Sequence, residues 1–231
     1  MKKRLVILSG AGMSAESGIS TFRDTNGLWN NYRVEDVATP EGFAKNPQLV
    51  LDFYNQRRKE LLKAKPNPGH YGLAALEEDF DVDIVTQNVD NLHERAGSSH
   101  VLHLHGELMK SCSVRDTNTP YDISPDRPEI NIGDKDMHGN QLRPFIVWFG
   151  EAVPMIEPAI RLVKSADIFV VIGTSLAVYP AAGLLNYVPV GRPVYLIDPN
   201  DVQTYRTDIQ IIKAGASEGV KRLTELLLLK K

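Results

Sequence analysis

The chain has 231 residues, 42% of them hydrophobic and 24% charged, which suits one soluble domain or one domain with a small appendage. Its 26 Lys and Arg against 29 Asp and Glu leave a net charge of −3, so no electrostatic footprint for nucleic acid is expected. A single cysteine, Cys112, excludes an intrachain disulfide and a multi-cysteine zinc knuckle. No stretch approaches the ~18 apolar residues of a membrane span, and the apolar run after the basic start is shorter than the roughly 7–15 residues of a signal core. The expected setting is cytoplasmic, away from membranes.

Short apolar runs predict strands at Leu5–Leu8, Val82–Val85, Val101–Leu104, Pro144–Phe149, Ile168–Ile172 and Val194–Ile197. Such continuous runs suit strands covered on both faces, as in a parallel sheet. Helices are expected between them. Asn67-Pro68 reads as an N-cap and first-turn proline leading into 70–80. Residues 154–165 and 217–229 carry apolar side chains at helical spacing. The alternation predicts an α/β fold, a Rossmann-like doubly wound parallel sheet with a second, smaller inserted module. The division expected is a Rossmann-like core over about 1–29, 81–105 and 143–231, and insertions over about 30–80 and 106–142. The two stretches that break the alternation are 30–66, mostly helical, and 109–142, polar and rich in Pro, Asp and Asn.

In such sheets ligands bind beyond the carboxyl ends of the strands. Gly10-Ala11-Gly12, with Ala15 in the third place, matches most of a G-x-G-x-x-G/A fingerprint after the first strand. Its glycines allow a tight turn and close approach to a pyrophosphate. A hydride-transfer dehydrogenase should show a second strand about 20 residues on, ending in an acid. Residues 30–36 are polar and not strand-like, which disfavours that class. Gln87, Asn88 and Asp90 share another strand-end loop, suited either to ribose and carboxamide contacts or to an Asx-type turn. Gly173-Thr174-Ser175 and Asp198-Pro199-Asn200 form two more. His105, at a strand end before Gly106, is suited to general-base work near neutral pH or to a structural hydrogen bond. Tyr54 and Arg57 lie on one helix face, either as a carboxylate clamp or as part of a solvated basic helix.

Five segments together resemble the sirtuin family of NAD-dependent protein deacylases. They are GAGMSAESGISTFRD (10–24), TQNVDNLHERAG (86–97), LHG (104–106), RPFIVWFGE (143–151) and GTSLAVYPAA (173–182). The resemblance implies an enzyme that consumes NAD, taking an acyl group from lysine and producing nicotinamide, O-acyl-ADP-ribose and free lysine. It implies that His105 is the general base for a ribose hydroxyl, with Asn88 and Asp90 beside the nicotinamide. It places Gly10, Ala11, Gly12, Ala15, Thr21, Phe22, Arg23, Trp29, Gln87, Val89, Gly173, Thr174, Ser175, Asp198, Pro199, Asn200 and Ala216 around the cofactor. Phe22 and Arg23 belong there to a loop shielding the reacting ribose. Val147, Trp148, Phe149 and Gly150 form a wall of the peptide groove. Tyr-x-x-Arg at 54–57 resembles the subgroup that removes succinyl and malonyl groups, with acetyl also open. His103 is expected to be structural.

Two departures stand out. Most sirtuins carry four zinc cysteines between the catalytic histidine and the RP segment, and 106–142 holds only Cys112. A mixed site from Cys112, His138 and nearby aspartates is conceivable, but no metal is expected. Asp198 stands where the family often has Asn. Other readings of the residues are an NAD-cleaving ADP-ribosyltransferase or glycohydrolase, and a non-catalytic nucleotide sensor. Oligomeric state is left open, and a monomer is compatible with the sequence.

Overall fold

The structure, a computed structural model, describes residues 2–19 and 32–229. In chain order the strands are β1 (Arg4–Ser9), β2 (Asp81–Thr86), β3 (Val101–His103), β4 (Gly106–Ser113), β5 (Tyr121–Asp122), β6 (Leu142–Ile146), β7 (Ile168–Ile172), β8 (Val194–Ile197) and β9 (Ile209–Ile212). The helices are α1 (Gly12–Ala15), α2 (Val34–Val37), α3 (Pro40–Lys45), α4 (Pro47–Lys63), α5 (Pro68–Ala75), α6 (Leu92–Arg95), α7 (Ile156–Lys164) and α8 (Ala216–Leu228).

Six strands form a parallel sheet in the order β3-β2-β1-β7-β8-β9. This is the doubly wound arrangement that the alternation predicts, and its chain reverses direction of travel at β1, between β2 and β7. Because Leu5–Leu8 and Ile168–Ile172 alternate side chains to both faces, each face is apolar and each is covered. One face packs against α5 and α8 through Leu73, Val220 and Leu223, and against Leu76 just after α5. The other packs against α7 through Ala159 and Val163 and against residues 181–188. A second sheet, antiparallel, has the order β5-β4-β6 and lies against α4.

Two expectations are corrected. The apolar run 144–149 is not a strand of the large sheet. Leu142–Ile146 pairs antiparallel with β4, and 147–149 leave the strand. Its apolar character comes from packing on α4, not from burial between two helix layers. Residues 68–80, expected in the inserted module, pack on the large sheet instead, where Leu73, Leu76 and Phe80 meet Leu5, Ile7 and Val82. The predicted cap is present: the Asn67 side chain accepts from the Gly69 and His70 amides, with Pro68 at the first helical position. Strand β9 has no counterpart in the sequence reading, because Ile209-Gln210-Ile211-Ile212 is short and half exposed at the sheet edge. Among the described residues no helix is long and apolar enough to cross a membrane.

Candidate active site at the carboxyl edge of the large sheet

The exits of β1 and β7 lie against each other. The Gly10 amide donates to Ile172 O at 3.0 Å and the Gly12 amide to Gly173 O at 2.8 Å. A Cβ on Gly12 would sit 2.7 Å from Gly173 Cα, and one on Gly173 would sit 2.3 Å from Met13 N. Gly173 also has φ +63°. These glycines are therefore required by backbone packing on backbone, before any ligand is considered. Residues 34–37, where a dehydrogenase would carry its second strand, form the short helix α2.

The loop after β2 is bound into this floor. The Asn88 amide N–H donates to Thr86 Oγ1 at 3.0 Å, and its Nδ2 donates to Gly10 O at 3.0 Å and Ser14 Oγ at 3.2 Å. The Ser14 hydroxyl donates onward to Asp90 Oδ2 at 2.9 Å, and the Leu92 amide donates to Asp90 Oδ1 at 3.1 Å. Burial raises the Asp90 carboxyl, and these two donors offset the rise only in part. Gln87 spans the crevice, with Nε2 donating to Thr174 Oγ1 at 3.1 Å. Asn88 and Asp90 are buried, while Gln87 and Val89 are half-buried.

His105 follows β3. Its Nδ1 lies 3.1 Å from Gln87 O. A carbonyl only accepts, so Nδ1 carries the hydrogen and Nε2 keeps its lone pair. Among the described residues Nε2 has no hydrogen-bond partner. Burial, resisted by the Gln87 carbonyl, lowers the ring's affinity for a second proton. The ring is thus neutral near pH 7, with one basic nitrogen free of hydrogen bonds among the described residues.

Helix α4 supplies Tyr54 and Arg57. Trp148 Nε1 donates to the Tyr54 hydroxyl at 3.0 Å, which leaves the phenol's own hydrogen available. Burial pushes that phenol up to about 12. The Arg57 guanidinium lies 4.6 Å from the Phe53 ring centre, and its Nε is buried with no hydrogen-bond partner among the described residues. Burial draws it down to about 10. Glu60 is its charged neighbour on the same helix, but the buried Nε lacks an acceptor among the described residues, and a bound anion would supply one.

Other predicted residues are placed as follows. Thr21, Phe22, Arg23 and Trp29 lie outside the described residues. Ala11 and Ala15 flank the glycine turn, and Ser175 follows Thr174 half-buried at the crevice. Asp198 accepts from the Asn200 amide at 2.8 Å in an Asx turn after β8, with Pro199 exposed between them. Ala216 begins α8 and is buried beneath the crevice against Gly69. Val147 N–H donates to His105 O at 3.0 Å and Phe149 N–H to Ala38 O at 2.9 Å, while Phe149 and Gly150 are exposed. Trp148 is only 3% exposed and packs in the core against Phe43 and Tyr54. Its neighbours fix it there. Arg143 stacks 3.4 Å from a Trp148 ring and pairs with both Glu151 oxygens, at 2.6 and 3.0 Å.

His103 and Ser14 were not expected in the site. Both were within reach of the sequence: on an extended segment His103 and His105 share a face, and Ser14 stands two residues after Gly12. Among the described residues no group of three or more His, Cys, Asp or Glu side chains could hold a metal ion. Cys112 is buried with its thiol pushed up to about 11, which makes it a poor nucleophile.

A glycine-floored crevice at a topological switch point, lined by amide, carboxylate and one neutral imidazole, defines a dinucleotide-using α/β enzyme. The Sir2 family model matches residues 10–180, and the chain belongs to that family. It is 63% identical over 230 residues to a Bacteroides thetaiotaomicron protein named NAD-dependent protein deacylase, covering 98% of each chain. A Helicobacter pylori protein of the same name is 51% identical over 227 residues, again covering 98% of each. Among solved structures, a Sir2 homologue in complex with NAD has TM-score 0.85 and 40% identity, covering 98% of this chain and 91% of that one. A Sir2 protein with a peptide and NAD has TM-score 0.79 and 31% identity, covering 99% and 95%.

Proposed function

We propose that this NAD-dependent protein deacylase prefers lysines carrying negatively charged acyl groups, succinyl and malonyl. The observation that carries the preference is the pair on α4. Tyr54 offers a hydroxyl hydrogen and Arg57, one turn on, a half-buried guanidinium whose Nε has no hydrogen-bond partner among the described residues. A terminal carboxylate accepts from both, with the fork of Arg57 giving the stronger, charge-assisted bonds. An acetyl group has no terminal carboxylate to accept from them.

The crevice fits NAD by the chemistry of its donors and acceptors. Asn88, Asp90 and Gln87 present amide and carboxylate groups for the carboxamide and ribose, and Asp198 and Asn200 edge the far end for a second ribose. When bound, NAD supplies an electrophilic anomeric carbon with nicotinamide as its leaving group. His105 then accepts a proton at Nε2 from a ribose hydroxyl, steadied in one tautomer by Gln87 O. Asn88 and Asp90, tied through Ser14, keep the nicotinamide side of the crevice from collapsing. Val147 and Phe149, on the stretch after β6, border the acyl-lysine entry.

The test mixes protein, NAD and acetyl-, malonyl- and succinyl-lysine peptides, with products followed by mass spectrometry. Arg57→Met should lower kcat/KM for the succinyl peptide by about 10- to 100-fold, the range of one lost charge-assisted contact. Activity on the acetyl peptide should change little. Equal losses on both would remove the clamp.

A further inference from the structure

We propose that His103 is a positioning residue that works as an imidazolium, holding the Asn88 carbonyl from one ring nitrogen while Glu94 holds the other, and that loss of this charge sets the alkaline limit of the reaction. The inference rests on the reading above, in which the 87–90 loop and His105 serve NAD.

The hydrogen-bond chemistry requires the charge. His103 Nδ1 lies 3.0 Å from Asn88 O, and Nε2 lies 2.7 Å from Glu94 Oε1. A carbonyl accepts and an ionised carboxylate accepts, so neither can lend the ring a proton. A neutral imidazole has one N–H and could make only one of these bonds. The register of the sheet makes the placement unavoidable: Thr86 pairs with His103 in parallel β2 and β3, so the side chain stands beside the turn that begins at Thr86.

His103 and His105 thus grip consecutive carbonyls, Asn88 and Gln87, from positions two apart. The rings differ in what lies at their second nitrogen. For His105 that nitrogen has no hydrogen-bond partner among the described residues. For His103 it is closed by Glu94. One ring is arranged to accept a proton, the other to keep one.

Every charged neighbour of His103 bears on this. Glu94 of α6 and Glu107 at the start of β4 are anionic, and Glu107 is shared with Lys110 at 2.8 Å. Asp90 lies in the same loop as Asn88, and His93 of α6 is kept neutral by complete burial. Burial alone would drive His103 down. The Glu94 bond and charge, with Glu107, reverse this and raise it above its ordinary value of 6.5. When the proton leaves, one of the two grips must be given up. The carboxylate cannot donate to a bare nitrogen, so either Glu94 separates or the Asn88 carbonyl is released, and with it the Nδ2 contacts to Gly10 and Ser14 loosen.

The experiment measures kcat and kcat/KM for NAD across pH with wild type, Glu94→Gln and His103→Gln, using whichever acyl peptide the wild type turns over. In parallel, nitrogen-15 NMR of the histidine rings reads whether both His103 nitrogens carry protons. Wild type should give a bell, its acid limb belonging to His105. Glu94→Gln keeps an acceptor but removes the charge, and should draw the alkaline limb down by about one pH unit while leaving the acid limb in place. His103→Gln, an amide that donates at all pH values, should lower the plateau and abolish the alkaline limb. A merely structural residue would lower activity evenly at every pH. Alkaline limbs that superimpose in wild type and Glu94→Gln, or a His103 ring with a single proton at pH 7, would overturn the inference. A wild type that cleaves no NAD with any acyl peptide would instead sink the functional reading, and the inference with it.

Discussion

The two sheets bury their polar groups in opposite ways. Around the large sheet the strands are apolar on both faces, and the close contacts at its carboxyl edge are backbone against backbone, with Gly10, Gly12 and Gly173 making room. The small module relies on buried cations. Arg58 is fully buried; its Nε donates to Leu108 O at 2.9 Å, and its Nη1 donates to Pro128 O at 3.0 Å and to Asn55 Oδ1. Asn55 in turn exchanges two hydrogen bonds with Ile130, each 2.9 Å. An irregular loop with few apolar side chains is thereby tied to α4 through its carbonyls. Where the large module is specified by shape, the small one is specified by donors aimed at an otherwise unsatisfied backbone.

The largest expected effect separates glycines of the two regions. Gly173→Ala sets a methyl 2.3 Å from Met13 N at φ +63° and should cost more than about 4 kcal/mol, or prevent folding. Gly133→Ala, in the small module at φ +96° with nothing within 4 Å, should cost only the strain of that backbone region, about 1–2 kcal/mol. Urea denaturation of both variants checks the contrast. Similar costs would mean that packing is not what fixes the carboxyl edge.

Arg58→Met comes next. It removes the donor from three acceptors in a dry setting, and should cost about 3 kcal/mol. The loss should be local: hydrogen exchange should quicken in β4 and β6, while amides of β1 and β7 keep their protection. A chelator added to the wild type should leave the melting temperature unmoved. A drop of several degrees would show that a metal, and not the Arg58 cluster, holds the module.

The large sheet was legible because its signal is local. Ile168–Ile172 and Val194–Ile197 are unbroken apolar runs, and burial on both faces is what such runs mean. The capped start of α5 was legible for the same reason, from Asn67-Pro68. Sheet membership was not. Pro144–Ile146 is as apolar as the buried strands, and only its partner, β4, tells the two sheets apart. Strand β4 itself, Gly106–Ser113, contains Glu107, Lys110 and Ser111, and reads as a polar insertion until α4 and β6 cover it. In the site, Asn88, Asp90, His105, Tyr54 and Arg57 could be named from motifs. Trp148 could be named but not oriented, since its direction depends on Tyr54, which is remote in sequence. The pairing of His103 with Glu94 depends on how β3 and α6 meet, which periodicity does not encode.

The smallest effect tests the large region's own exception, two buried histidines behind the crevice. His70 and His93 are fully buried, neither bonds a carboxylate among the described residues, and their rings lie 4.9 Å apart. His93 Nε2 lies 3.0 Å from Ser9 Oγ, whose hydrogen goes to Thr86 Oγ1, so Nε2 carries the proton and Nδ1 is bare. Burial draws His70 down to about 4 and His93 to about 3, from an ordinary value of 6.5. The unfolded chain therefore takes up these protons as pH falls below 6.5, while the folded chain refuses them until pH 4 and below. Stability present above pH 6.5 is lost through that window, and His105, also lowered, adds to the loss. Asp90 and Asp83, raised by burial, act in the opposite sense. His103 belongs to a different window, because a raised value stabilises below 6.5 and is lost above it. Urea midpoints from pH 7 to pH 4.5 should fall, and His70→Gln should flatten the fall while leaving the changes above pH 7 in place. A slope unaltered by His70→Gln would mean that His70 does not carry the acid sensitivity.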